Sequence, residues 1–230
     1  MDSHRISGRI LAENIAGPGM LRLVEQSMQA RARKTSVTEI AVKERKHPQA
    51  ALTFDDGPDI RYTPLLLDGL KERNVRVSFF LLGEKVEQYP ELVERMQKEG
   101  HLVGNHTYHH VQLNKLNETK AREEILKTNN LIYETTGDYR LYLRRPFDVE
   151  EKSLELCEEM RPVFWTIDTL DWKVQNTEKI VRTVQEKIED GAIILMHDEY
   201  DTSVEAALQV VDELKNQGYE LVTVDQLILP

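Results

Sequence analysis

Five short apolar runs in this chain each end in a cluster of polar side chains suited to chemistry, and that pattern constrains the fold more than any other. Gln49 to Phe54 ends in Asp55, Asp56, Gly57 and Pro58, and His101 to Val103 ends in the stretch Gly104 to His110. Leu141 to Leu143 ends in Arg144, Arg145, Pro146 and Phe147. Val163 to Ile167 ends in Asp168, Asp171 and Trp172, and Ala192 to Met196 ends in His197 and Asp198. Acid, imidazole, guanidinium and indole groups collect at the same strand ends only where strands run parallel and open onto one face. Singly each cluster has a plainer explanation: a turn cap for the aspartates, an ion pair for Arg144, a core aromatic for Trp172, a sheet-edge histidine for His197. Jointly they point to a site.

Helical patterns between these runs supply the crossovers that parallel strands need. Helices are predicted near 64–73, 89–99, 117–136, 149–160, 178–189 and 204–217, and strands near 49–54, 76–82, 101–103, 140–145, 163–167, 192–196 and 220–224. About seven strands imply an α/β protein built as a distorted (β/α) barrel of seven to eight strands, with a doubly wound open sheet as the alternative. A chain of 230 residues buries a core of this size as one catalytic domain, here 49–230. Residues 1–48 read as an N-terminal extension, broken at Gly17, Pro18 and Gly19, with no chemistry of its own.

A net charge of −10 excludes a nucleic-acid binder, whose phosphate contacts need a basic surface. No apolar stretch reaches membrane-span length, and the N-terminus lacks the apolar segment of an export signal, so the chain is expected to be cytosolic unless a signal lies outside it. The single cysteine, Cys157, forms no internal disulfide.

Two adjacent carboxylates leaving a strand at a Gly-Pro turn repel unless a cation or a proton separates them. His106 and His110, four apart, can aim at one ion from a helical turn or a compact loop, with Asp56 or Asp55 as third ligand. Zinc accepts such mixed oxygen and nitrogen ligands and keeps a position open for water in catalytic sites.

The stretches 53–59, 104–110, 144–147, 168–173 and 194–197 resemble, in order, the five motifs of the polysaccharide deacetylase family, also called NodB-homology or carbohydrate esterase family 4. The resemblance spans about 49–229 and implies metal-dependent removal of acetyl groups from polymers or oligomers containing N-acetylglucosamine, in peptidoglycan or chitin-like glycans. It implies that Asp56, His106 and His110 hold a divalent metal, most often zinc with cobalt or nickel possible, and that Asp55 is the general base. His197 resembles the general acid, oriented by Asp171, and Arg144 the partner of Asp55. The Phe147 N–H is placed at the oxyanion, while Trp172 and Leu195 shape the acetyl pocket.

This chain departs from the family pattern at Arg145 and Asp148, which stand where a proline and a glycine are common. Asp148 should shift the oxyanion turn if that position needs positive φ. His109 replaces a small or polar residue and is a candidate to compete for metal or to meet substrate. The acids Asp198 and Glu199 should raise the pKa of His197. A sugar O-acetyl ester or small amide is the alternative substrate, and a non-catalytic metal- or carbohydrate-binding protein the alternative class.

Overall fold

A computed structural model describes residues 46–138, 142–148 and 160–228. The helix expected over 149–160, apart from its last residue Met160, together with Cys157 and the extension before Lys46, lies outside the described residues. Eight strands are described: β1 (Gln49–Asp55), β2 (Ser78–Leu81), β3 (Leu102–Asn105), β4 (Tyr142–Leu143), β5 (Arg161–Pro162), β6 (Ile167–Asp168), β7 (Ala192–His197) and β8 (Glu220–Leu221). They pair in the order β5-β4-β3-β2-β1-β7-β6, every recorded ladder being parallel. β8 pairs Gln49 and Ala50 at the start of β1, and β2 pairs Thr53 to Asp55 at its end. The helices are α1 (Tyr62–Glu72), α2 (Gly83–Gln88), α3 (Pro90–Lys98), α4 (Glu118–Thr136), α5 (Asp171–Val174), α6 (Thr177–Lys187), α7 (Asp201–Asn216) and α8 (Val224–Ile228).

Local chemistry explains most boundaries. Asn117 caps α4 by accepting the Lys120 N–H (3.0 Å), and Gly137, at φ 69, ends it in the left-handed conformation that glycine adopts without strain. Asn176 caps α6 in the same way through Lys179. Pro90 at the first position of α3 separates it from α2, a short helix that the periodicity alone did not announce.

Strand parity divides the core in two. Leu52, Phe54, Phe79, Leu81, Val103, Ile194 and Met196 face outward and pack against Leu66, Leu67, Leu70, Val93, Met96, Ile180, Val184, Val210 and Leu214 of the surrounding helices. Each such side chain contributes roughly 1.5–3 kcal/mol by leaving water. On the other side, Ala51, Phe80, Leu102, Tyr142 and Val163 pack with one another and with Val224, forming an interior lined by the strands themselves. A doubly wound sheet would cover both faces with helices, so this architecture is the curled, distorted (β/α) barrel.

Residues 163–166, expected as strand, are the exception. Val163 N–H still donates to Leu143 of β4, but Thr166 N–H donates to Ile193 of β7. The segment thus crosses from one side of the ladder to the other, and among the described residues no pairing joins β5 to β6. Phe164, midway, is exposed.

At the opposite end of the strands His101 is buried, its Nδ1 accepting the Val77 N–H (3.1 Å), which leaves that nitrogen unprotonated. Burial, with Arg76 and Arg95 adding and Glu99 opposing, pushes this imidazole down to about 4. That is below its unfolded value of about 6.5. Its contribution to stability is therefore complete above pH 6.5 and is lost as pH falls through 4, by at most about 3 kcal/mol. Urea unfolding between pH 7 and pH 4 should show the protein losing stability relative to His101→Gln; parallel curves would remove the assignment.

Candidate active site

Parity also builds the site. Asp55 and His197 are register partners at the ends of β1 and β7, two and four residues after inward-facing Thr53 and Ile193, so both point into the barrel mouth. His106 follows β3, its N–H donating to Leu81 of β2 (2.9 Å). Arg144 follows β4, and its N–H donates to Asn105 (2.9 Å).

The two aspartates have separate partners. Asp55 Oδ1 accepts from Arg144 Nη1 (2.8 Å), and this guanidinium is 0% exposed. Its Nη1 also donates to Thr53 Oγ1 (2.6 Å), Nε to the Val163 carbonyl (3.3 Å) and Nη2 to the Phe164 carbonyl (3.5 Å), while its face lies 4.2 Å from the Phe80 ring centroid. Carbonyls left without ladder partners where 163–166 crosses are thus taken up by Arg144.

Asp56, at φ 68, turns the other way. Its Oδ1 lies 3.3 Å from His106 Nε2 and 3.4 Å from His110 Nε2, and is buried with no hydrogen-bond partner. Ligand atoms of these three residues lie within 4.8 Å of one another. His106 Nδ1 sits 2.8 Å from the Arg144 carbonyl, which can only accept, so the proton is on Nδ1 and the Nε2 lone pair faces Asp56. An orphaned carboxylate oxygen beside an imidazole lone pair fits a divalent cation. Burial would lower the pKa of His106, but Asp55 and Asp56 raise it: the pocket draws a positive charge that a cation can supply in place of a proton. Burial lowers that of His110, more than the aspartates raise it, leaving a neutral ring suited to coordination. Burial would raise the pKa of Asp56, yet His106, followed by the charges of His110 and His197, holds it well below the usual carboxylate range.

His197 stands on β7, beside Asp55. Asp171, fully buried at the start of α5, accepts from both the His197 N–H and its Nδ1, each at 2.8 Å. Nε2 is thereby aimed at the cluster, 3.9 Å from Asp56 Oδ2. Burial would lower this pKa, but Asp171, then Asp55 and Asp56, push it up to about 9. Asp198 and Glu199 are not the cause, contrary to expectation: Asp198 is buried and bonded to Thr63, and Glu199 pairs with Lys85.

Phe147 sits at φ 66, so the positive φ of this turn falls there; its ring lies 4.7 Å from that of His110 and is 56% exposed. Leu195 is buried on β7 with the parity of His197, and Trp172 is 49% exposed beside Asp171. The 106–110 segment is a compact loop, not a helical turn. His109 lies outside the cluster: its Nδ1 pairs with Glu124 Oε1 (2.7 Å), and Glu124 Oε2 accepts the N–H groups of Tyr108 and His109.

Sequence reasoning missed the residues that hold these loops. The N–H groups of Leu82, Gly83 and Glu84 donate to Gly57, Thr107 and Tyr108, stapling the loops that carry Asp56 and His106 to one corner. A side chain at Gly83 would run into Thr128 and Tyr108, and one at Gly57 would come within 2.6 Å of Asp198. The glycine ending the apolar stretch 77–82 was the only signal available.

Removing one partner of a buried pair strands the other charge, at about 3–5 kcal/mol. Arg144→Met should therefore lose that much stability in urea, and Arg144→Met with Asp55→Asn should recover part of it. An equal loss in single and double variants would show that the pair is not what Arg144 stabilises.

Comparison with known proteins identifies the family. A sequence model described as Polysaccharide deacetylase matches residues 42–161. The chain is 41% identical over 187 residues to the peptidoglycan-N-acetylglucosamine deacetylase PgdA of Listeria monocytogenes, covering 80% of this chain and 40% of that protein. It is 41% identical over 177 residues to the peptidoglycan-N-acetylmuramic acid deacetylase PdaC of Bacillus subtilis, covering 77% of this chain and 38% of that one. The chain thus spans about two fifths of the length of these relatives. The solved structure of PdaC superposes with a TM-score of 0.77 at 39% identity, covering 80% of this chain and 91% of the other. Five motifs in order, a matching barrel and this extent of identity place the chain in the polysaccharide deacetylase family.

Proposed function

We propose that this chain, through its 49–230 domain, is a metal-dependent deacetylase that hydrolyses acetamide groups on N-acetylated amino sugars of a peptidoglycan-type glycan, releasing acetate. The observation that carries the reading is the division between neighbouring aspartates: Asp56 faces two imidazoles, while Asp55 is held by Arg144. A binding protein has no use for the second carboxylate, nor for an imidazole raised on the neighbouring strand.

Asp56, His106 and His110 would hold the ion, and zinc suits two nitrogens and one oxygen. When bound, a divalent ion supplies Lewis acidity toward water and toward the acetyl carbonyl. The remaining work falls to the chain. Asp55 accepts the proton of the attacking water, its other oxygen being engaged by Arg144 and its orientation thereby set. The Phe147 N–H, presented by a left-handed turn, donates to the oxyanion. An amine leaves poorly unless protonated, and His197 holds a proton at neutral pH with its Nε2 directed at the cluster, 3.9 Å from Asp56 Oδ2. Asp171 keeps that proton available at Nε2 by engaging Nδ1. Leu195 and Trp172 offer apolar surface to the acetyl methyl.

Acetate release from N-acetylglucosamine oligomers and from peptidoglycan glycan should stop with chelator and return with zinc or cobalt. Asp55→Asn should bind zinc stoichiometrically yet turn over at least about 10²-fold more slowly. His197→Ala should slow amide substrates far more than activated acetyl esters, whose leaving groups need no proton. Full activity in Asp55→Asn, or equal losses on amide and ester, would remove the respective roles; turnover of esters alone would favour a sugar esterase.

A further inference from the structure

Asp198 follows His197 at the end of β7 and takes no part in the chemistry above, yet its carboxyl is 0% exposed. Oδ2 accepts from the Thr63 hydroxyl, while Oδ1 is buried with no hydrogen-bond partner. Lys85, the cation that acts on it through space, is bonded to Glu199. Burial pushes this carboxyl up to about 7, with Thr63 and Lys85 opposing, so near neutral pH it is uncharged for much of the time. A buried, half-satisfied acid is rare in a folded chain, and charge is not what this one chiefly supplies.

What the carboxyl touches is the turn that carries the two aspartates. A Cβ on Gly57 would stand 2.6 Å from Asp198 Oδ1 and 2.9 Å from Oδ2, so Asp198 fills the space that a side chain there would take. Gly57 is not at positive φ; close approach, and not backbone conformation, is what excludes a larger residue. Thr63 extends the contact. Its oxygen accepts the Asp59 N–H (2.7 Å) and its single proton goes to Asp198, which fixes the hydroxyl at both ends. Asp59 in turn holds the start of α1, its Oδ1 accepting the N–H groups of Arg61 and Tyr62 (2.8 Å each). Consecutive residues of one strand end thereby meet consecutive residues of the turn: His197 Nε2 is 3.9 Å from Asp56 Oδ2, and Asp198 lies on Gly57.

We propose that Asp198 is a positioning residue: packed against Gly57 and tied to Thr63, it sets the turn that carries Asp56 relative to His197, and so fixes where the candidate metal ligand stands. This deepens the deacetylase reading and rests on it. Groups that orient metal ligands from behind change affinity or activity by about 10–100-fold when removed. A misplacement of about 1 Å in a reacting geometry costs a comparable factor in rate. Asp198 is fully enclosed and meets no glycan, so KM is the quantity it should leave alone.

The test uses the full chain. Zinc affinity by chelator competition, kcat and KM for acetate release from an N-acetylglucosamine tetramer, and urea unfolding are measured for the wild type, Asp198→Ala, Asp198→Asn, Thr63→Val, Thr63→Ser, Gly57→Ala and Gly57→Ala combined with Asp198→Ala. Asp198→Ala and Thr63→Val should each weaken zinc about tenfold and lower kcat by a similar factor, with KM moving less than about twofold. Asp198→Asn and Thr63→Ser keep the hydrogen bond and should stay within about threefold of the wild type in both. Gly57→Ala should also lose zinc affinity, and combining it with Asp198→Ala should recover part of that loss, because the second change removes the group that the new methyl strikes. Lower stability in urea with zinc affinity and kcat unchanged in Asp198→Ala and Thr63→Val overturns the proposal and leaves the deacetylase standing. If Asp198→Ala does not fold, Thr63→Val and Gly57→Ala decide on the same readouts. Zinc weakened in the variants, with no acetate released by any of them or by the wild type, defeats the reaction and leaves the positioning standing. A wild type that binds no zinc overturns both.

Discussion

The rest of the structure depends on one buried guanidinium. Arg144 is fully enclosed, and a charge in that setting costs several kcal/mol unless its donors are met. They are met from four directions: the Asp55 carboxylate, the Thr53 hydroxyl, and the carbonyls of Val163 and Phe164, with the Phe80 face beneath. Two of these partners belong to the strand that carries the aspartates. Two belong to the segment that crosses where the ladder between β5 and β6 is interrupted. A single side chain therefore bridges the weak side of the barrel and fixes the orientation of Asp55, the proposed base, so stability and the proposed chemistry cannot be altered separately there.

The loops that carry the candidate metal ligands are held by a different device. Asp56, Thr107 and His110 adopt positive φ, a conformation that costs a side-chain-bearing residue of order 1–3 kcal/mol and persists only where its surroundings enforce it. The corner at Leu82 to Glu84 does so, its N–H groups gripping carbonyls of both loops, and Glu124 completes the hold on Tyr108 and His109. Strain of this kind would set the candidate ligand atoms before an ion arrives, and an ion that bound only the folded chain would add its binding energy to folding.

Much of this was legible in particular residues. The five polar clusters marked the strand ends, and parity along β1 and β7 brought Asp55 and His197 together as the pattern required. Asn117 and Gly137 marked α4 at both ends. The crossing at 163–166 was not legible: Val163, Phe164, Trp165 and Ile167 have strand-forming side chains, and nothing local shows that their carbonyls serve a distant arginine. That His109 does not compete for the metal was not legible either, since Glu124, fifteen residues on, decides where its ring goes.

What the sequence determined by itself is composition at the strand ends: periodicity is a property of neighbouring residues, and it orders acid, imidazole and guanidinium along one face of a parallel barrel. What tertiary structure alone decided is which carboxylate serves which partner. Asp55 and Asp56 are chemically identical and adjacent, and only the through-space positions of Arg144, His106 and His110, brought in from other strands, make one a neighbour of a guanidinium and the other a neighbour of two imidazoles.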